Sequence, residues 1–264
     1  MSTARAFAAA RAEGRAALVG YLPAGFPDVE GAVEAIGVMV EHGCDVIEIG
    51  LPYSDPVMDG PTIQAAAQQA LEAGARTTDV FRTVEKIAGL GVPTVVMTYW
   101  NPVERYGVER FAADLASAGG AGLITPDLTP DSGEAWIAAA DAHDLDKVFL
   151  VAPSSTEARL AYTTDACRGF VYATAVMGVT GARATSSDLA EPLVTRTRSV
   201  TDLPVGVGLG VSDGAQAAEV ASYADGVIVG SAFVRALLDA PDRRTGLDRL
   251  ATLTADLAAG VRRG

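Results

Sequence analysis

Lysine occurs only at Lys86 and Lys147, histidine only at His42 and His143, and cysteine only at Cys44 and Cys167. Two distant cysteines, with no CxxC or Cys/His grouping, exclude a disulfide scaffold and a standard zinc module and fit a reducing compartment. Basic residues are also scarce, 20 against 33 acidic ones, for a formal net charge of −13. Such a field repels a nucleic-acid backbone or an anionic lipid surface. No basic patch overrides it, since the arginines are scattered apart from a short Arg262-Arg263 end. No apolar stretch is long enough to span a bilayer. The alanine-rich opening, residues 1–20, is interrupted by Arg5, Arg11, Glu13 and Arg15, whereas a signal peptide needs a clean apolar run. The expectation is a cytoplasmic protein that opens with a helix and has neither nucleic acid nor membrane as partner.

What is present is an alternation. Short apolar, β-branched runs fall at residues 17–22, 46–50, 94–98, 122–125, 148–151, 169–173, 205–207 and 226–229. Between them lie Ala/Leu-rich segments of helical period at 29–41, 62–73, 79–88, 109–118, 132–142, 187–198, 214–221 and 232–238. The runs are continuously apolar, so both faces of each strand are covered, as in a parallel sheet. Eight such repeats in 264 residues have the rhythm of an α/β protein of the (β/α)8 TIM-barrel type with an extra N-terminal helix. No linker or composition shift divides the chain, so 1–264 reads as a single domain. A doubly wound open sheet is the alternative; it would want a GxGxxG turn where this chain has Tyr21-Leu22-Pro23-Ala24-Gly25.

A parallel barrel keeps its chemistry at the C-terminal ends of its strands. Both histidines, both cysteines and Lys147 precede strands, and Lys86 sits in a helical pattern, so none is placed for catalysis. That leaves carboxylates, tyrosines and backbone. Glu48 stands inside the apolar run Val46-Ile47-Glu48-Ile49-Gly50. With period two, the isoleucines share the helix-packing face and Glu48 points into the barrel. A structural ion pair is the plain reading of such a residue, but the candidate strands offer no lysine or arginine. A carboxyl unpaired in apolar surroundings is pushed toward neutrality, which is what a general acid/base needs. In the loop that follows, Asp59 of the Asp-Gly-Pro corner reads either as a turn residue or as a second carboxylate over the mouth.

Glycines cluster after the last three strands, in Gly178-Val179-Thr180-Gly181, Gly208-Leu209-Gly210-Val211-Ser212 and Gly230-Ser231-Ala232. Each alone is an ordinary tight turn. Together they occupy the end of the barrel where phosphate sites recur, with Ser231 opening the final helix toward an anion. The stretch 177–189, which includes Arg183, reads as a mobile lid or as an ordinary flexible loop.

The run Ile47-Glu48-Ile49-Gly50-Leu51-Pro52-Tyr53-Ser54-Asp55-Pro56-Val57-Met58-Asp59-Gly60-Pro61-Thr62-Ile63-Gln64 resembles the hallmark of the tryptophan synthase α subunit family. The similarity continues through Met97-Thr98-Tyr99-Trp100-Asn101-Pro102, Thr125-Pro126-Asp127, the two glycine loops and Val227-Ile228-Val229-Gly230-Ser231-Ala232. It departs at Val176-Met177, where many relatives carry Ser-Arg, and at Phe26. The resemblance implies a TIM barrel that cleaves indole-3-glycerol phosphate to indole and D-glyceraldehyde 3-phosphate, a carbon–carbon lyase of tryptophan biosynthesis. It implies no metal or organic cofactor, and a tryptophan synthase β subunit as partner in an α2β2 heterotetramer. Position by position it makes Glu48 the proton-transferring residue and Asp59 the group that binds the indole N–H. Tyr172 and Thr180 support them. Gly181, Gly210, Gly230 and Ser231 hold the phosphate, and Tyr21, Met97 and Ile124 form the indole pocket. On the residues alone three alternatives stay open: another phosphosugar barrel, such as an isomerase or aldolase; a regulatory barrel that only binds a phosphorylated ligand and serves as a partner subunit; and a stand-alone indole-releasing lyase, which would share every motif.

Overall fold

Nine parallel strands alternate with helices in the structure, a computed structural model that describes residues 2–174, 187–208 and 210–262. The strands are β1 (Ala17–Pro23), β2 (Val46–Gly50), β3 (Thr94–Met97), β4 (Gly122–Ile124), β5 (Asp146–Val148), β6 (Leu150–Val151), β7 (Val171–Thr174), β8 (Val205–Gly208) and β9 (Gly226–Val229). Their hydrogen-bonded order is β5-β4-β3-β2-β1-β9-β8-β7-β6. The two end strands are separated in sequence only by Phe149, so they are halves of one stave and the sheet closes into a (β/α)8 barrel.

Period two then sorts the side chains. Val19, Val46, Val95, Ile124, Val148, Phe170 and Ile228 pack with one another inside the barrel. Leu18, Ile47, Ile49, Val96, Leu123, Phe149, Val207 and Val227 pack outward against the helices. Both faces of every stave are thereby removed from water, which is the physical reason the strand runs are continuously apolar.

The N-terminal helix Thr3–Ala12 closes the lower end. Its Phe7 enters the inner cluster and stacks on Phe170 with ring centroids 5.0 Å apart. A buried carboxylate pins the helix start: Asp146 accepts hydrogen bonds from the Thr3 N–H (2.8 Å), the Thr3 hydroxyl (2.7 Å) and the Ser2 hydroxyl (3.1 Å). Gly169 beside it has φ +95°, and a Cβ there would meet Thr3 Oγ1 at 2.4 Å, so this position admits only glycine. Asp146→Ala leaves these donors without a partner, and an unfolding free energy lower by about 2–4 kcal/mol is expected in urea titration.

Several elements differ from the sequence expectation. The stave expected over 148–151 starts at Asp146 and breaks at Phe149, which brings Lys147 into a strand. Lys147 nonetheless pairs with Asp141, so it is no partner for Glu48. The strand expected from residue 169 starts at Val171, because Gly169 holds a left-handed conformation. Helices Trp100–Tyr106, Glu157–Ala166 and Arg243–Gly260 were not anticipated, and the last of these displaces Ser231–Leu238 as the final helix. The buried face of Arg243–Gly260 is Gly246, Leu250, Thr254, Leu257 and Gly260, three of the five without a large apolar side chain, so its hydrophobic stripe is faint. No helix among the described residues is long and apolar enough to cross a membrane.

Candidate active site

At the upper end of the barrel the inward positions border a cavity of about 540 Å³. Tyr21 of β1, Glu48 of β2, Met97 of β3, Leu150 of β6, Tyr172 and Thr174 of β7 and Ile228 of β9 form its lower wall. Val57, Met58, Asp59 and Gly60, from the loop after β2, lean over it, joined by Ile63 from the helix Pro61–Glu72. Gly208, Gly210, Gly230 and Ser231 form the remaining side. Among the described residues no lysine, arginine or histidine lines the cavity, and no three His, Cys, Asp or Glu side chains converge to hold a metal ion.

Glu48 is 1% exposed, and its Oε2 has no hydrogen-bond partner. Burial, with the nearby Asp59 charge adding to it, pushes its carboxyl up to about 8. Asp59 is also raised by burial, but the Tyr99 hydroxyl donates to its Oδ1 at 2.9 Å and opposes the rise. The same Tyr99 oxygen accepts the Met58 N–H at 3.0 Å, so one phenol fixes the corner that carries Asp59. The two carboxyls in one cavity thus have different surroundings: Glu48 is buried with an unpartnered oxygen, whereas Asp59 is held by a phenol.

The opposite side is built for close backbone approach. Gly210 has φ +72°, and the helix Ser231–Leu238 starts at the cavity with Gly230 as its cap. First-turn amides of a helix have no intrahelical acceptor and favour an anion. A carboxylate pair faces an N–H cradle across a space lined by apolar and aromatic walls.

A sequence model of the tryptophan synthase alpha chain family matches residues 7–262. The chain belongs to the tryptophan synthase alpha chain family. It is 65% identical to the tryptophan synthase alpha chain of Salinispora arenicola over 97% of this chain and 96% of that one. It is 63% identical to the Salinispora tropica alpha chain, with the same two coverages. In three dimensions it is similar to the structure of Mycobacterium tuberculosis tryptophan synthase in space group F222, with TM-score 0.92, 58% identity and coverage of 99% and 98%.

Of the residues that the alpha-chain resemblance singles out, Tyr21, Glu48, Asp59, Met97, Tyr172, Gly210, Gly230 and Ser231 line this one cavity. Ile124 does not: it faces inward from β4 but is fully buried in the inner cluster. Thr180 and Gly181, with Val176-Met177 and Arg183, lie outside the described residues. Sequence reasoning did not single out Leu150 and Ile228, although their inward parity was available. It also did not give Tyr99 its task of holding Asp59, because nothing in the spacing joins a β3 loop to a β2 loop.

Proposed function

We propose that Glu48 and Asp59 carry out the carbon–carbon lyase reaction of the tryptophan synthase alpha chain, the cleavage of indole-3-glycerol phosphate to indole and D-glyceraldehyde 3-phosphate. The observation that carries this is a buried carboxyl with an unpartnered oxygen sharing a cavity with a second carboxyl, which the Tyr99 hydroxyl holds. The indole ring cannot leave until it accepts electrons. Glu48 gives its proton to ring C3, and the resulting positive N–H is met by the Asp59 carboxylate through a charge-assisted hydrogen bond. Glu48, now a carboxylate, takes the proton of the adjacent glycerol hydroxyl as the C–C bond breaks. The proton count balances: one leaves Glu48 and one returns. Apolar Leu150, Ile228 and Met97 exclude water from this exchange. Release of indole from indole-3-glycerol phosphate, followed spectroscopically, is the direct test; a phosphosugar isomerase would leave the bond intact.

Phosphate is held by Gly210, Gly230 and Ser231, which line the cavity together. A Cβ at Gly230 would meet its nearest neighbours at 3.4 Å and beyond, ordinary contact distance, so this position tolerates a side chain. Gly230→Asp places a negative charge in the cradle. It is expected to raise KM for indole-3-glycerol phosphate by roughly tenfold or more with a much smaller change in kcat, measured by steady-state kinetics.

The partner is the tryptophan synthase β subunit, in an α2β2 assembly within the cytoplasm. Its seat is the rim on which the loops after β2 and β3 meet. Val57 is 76% and Met58 47% exposed there, and Asn101 Nδ2 donates to the Tyr53 hydroxyl at 2.9 Å. Tyr53 in turn packs on Tyr99, the residue that holds Asp59, with centroids 5.5 Å apart. Pressure on this rim reaches the carboxylate through one layer of rings. The isolated chain is expected to cleave slowly and the assembly faster; equal rates with and without the β subunit would remove the partner from the reading.

A further inference from the structure

The Tyr21 hydroxyl has no task in the chemistry above, yet the barrel wall is cut back to accommodate it. Tyr21 and Glu48 are register partners on the adjacent strands β1 and β2, and both side chains line the cavity. Two residues beyond Glu48 on the same face stands Gly50, where a Cβ would lie 2.1 Å from the Tyr21 hydroxyl oxygen. The phenol therefore passes over the wall at the position directly above Glu48, on the strand from which the Asp59 loop departs. Any larger residue at 50 would drive it away.

We propose that Tyr21 is a positioning residue, whose hydroxyl, seated on Gly50, donates to the Glu48 carboxylate once Glu48 has given its proton to the substrate. This rests on the acid/base reading of Glu48. A carboxylate formed in this cavity needs a donor. Oε2 has none in the ligand-free site, and no cation lines the cavity among the described residues. The polar side chains that share the cavity with Glu48 are Tyr21 from β1, Asp59 from the loop after β2 with Tyr99 behind it, Tyr172 and Thr174 from β7, and Ser231 after β9, where Thr174 already has a partner; β3, β6, β8 and β9 present Met97, Leu150, Gly208 and Ile228. Tyr99 is engaged with Asp59 and the Met58 amide. Tyr172 lies across the barrel, its hydroxyl against Gly208. The Tyr21 phenol is held well above its ordinary value, by burial first and then by the Asp59 and Glu48 charges, so it remains a donor throughout the working range.

Tyr21→Phe keeps the ring and removes the donor. The expected result is a kcat for indole release lower by about tenfold or more, with KM within about twofold. The alkaline limb of the kcat profile should move up by roughly one pH unit, because the ionised form of Glu48 has lost a stabilising partner. Gly50→Ala, which retains the phenol but displaces it, should show the same kcat loss and the same upward limb; circular dichroism and the thermal midpoint check that both variants fold. An unchanged limb with kcat within twofold of wild type in Tyr21→Phe would overturn the proposal. The two readings separate cleanly. If Glu48→Gln keeps its turnover, the acid/base assignment fails. If Glu48→Gln is inactive while Tyr21→Phe matches wild type, only the role of Tyr21 fails.

Discussion

Glu48→Gln should lower indole release from indole-3-glycerol phosphate by about a thousandfold, within the range that a positioned general acid/base contributes. The amide keeps the shape of the side chain and the volume of the cavity, so affinity for D-glyceraldehyde 3-phosphate should change little and the loss should fall on kcat. Wild-type kcat should decline as pH rises through about 8, where Glu48 loses the proton that begins the reaction. A variant that retained most of its turnover would show that another group moves the proton. Stability supplies a second measurement. The folded-state value of about 8 lies above the ordinary 4.5, so ionisation of Glu48 destabilises the folded chain progressively as pH rises from 4.5 through 8. The Gln variant escapes that loss. Its thermal midpoint should exceed that of wild type at pH 9, and the gap should close below pH 4.5.

Asp59→Asn should lower kcat by about a hundredfold or more, since an amide cannot offset the charge that develops on the indole nitrogen. This variant has a signature of its own. The Asp59 charge is part of what holds Glu48 high, so neutralising it should move the alkaline limb of the kcat profile downward. Loss of Tyr21 is expected to move the same limb upward, and the two shifts can be measured on one buffer series. If Asp59→Asn weakened only substrate affinity and left kcat intact, Asp59 would be a positioning residue instead.

Barrel and carboxylate were legible in the sequence for related reasons. A stave covered on both sides has to be apolar throughout, so one glutamate within Val46-Ile47-Glu48-Ile49-Gly50 stands out, and strand parity fixes its direction. Asp59 was ambiguous because an Asp-Gly-Pro corner suits a turn equally well; what resolves its surroundings is Tyr99, forty residues away in sequence and 2.9 Å away in space. Helix Glu157–Ala166 escaped notice since only Leu160, Thr163 and Thr164 are buried on it, too little apolar surface to show as a stripe. Ile124 was assigned to the cavity wall by likeness of motif, whereas its buried place in the inner cluster depends on how far up β4 it sits.

The stopper at the lower end of the barrel has a consequence for the carboxyl above it. Phe7, stacked on Phe170, and Val46, one inward position below Glu48, belong to the inner cluster that fills the barrel beneath the cavity. Water reaching Glu48 must therefore descend from the mouth, past the substrate or in its place. The burial that raises the Glu48 carboxyl is completed from below by this apolar cluster, to which the N-terminal helix contributes Phe7. Phe7→Ala thins the far end of that cluster, and the alkaline limb of the kcat profile would report whether the change is felt at Glu48. In this fold the end of the barrel reserved for stability is also the seal beneath the reacting carboxyl.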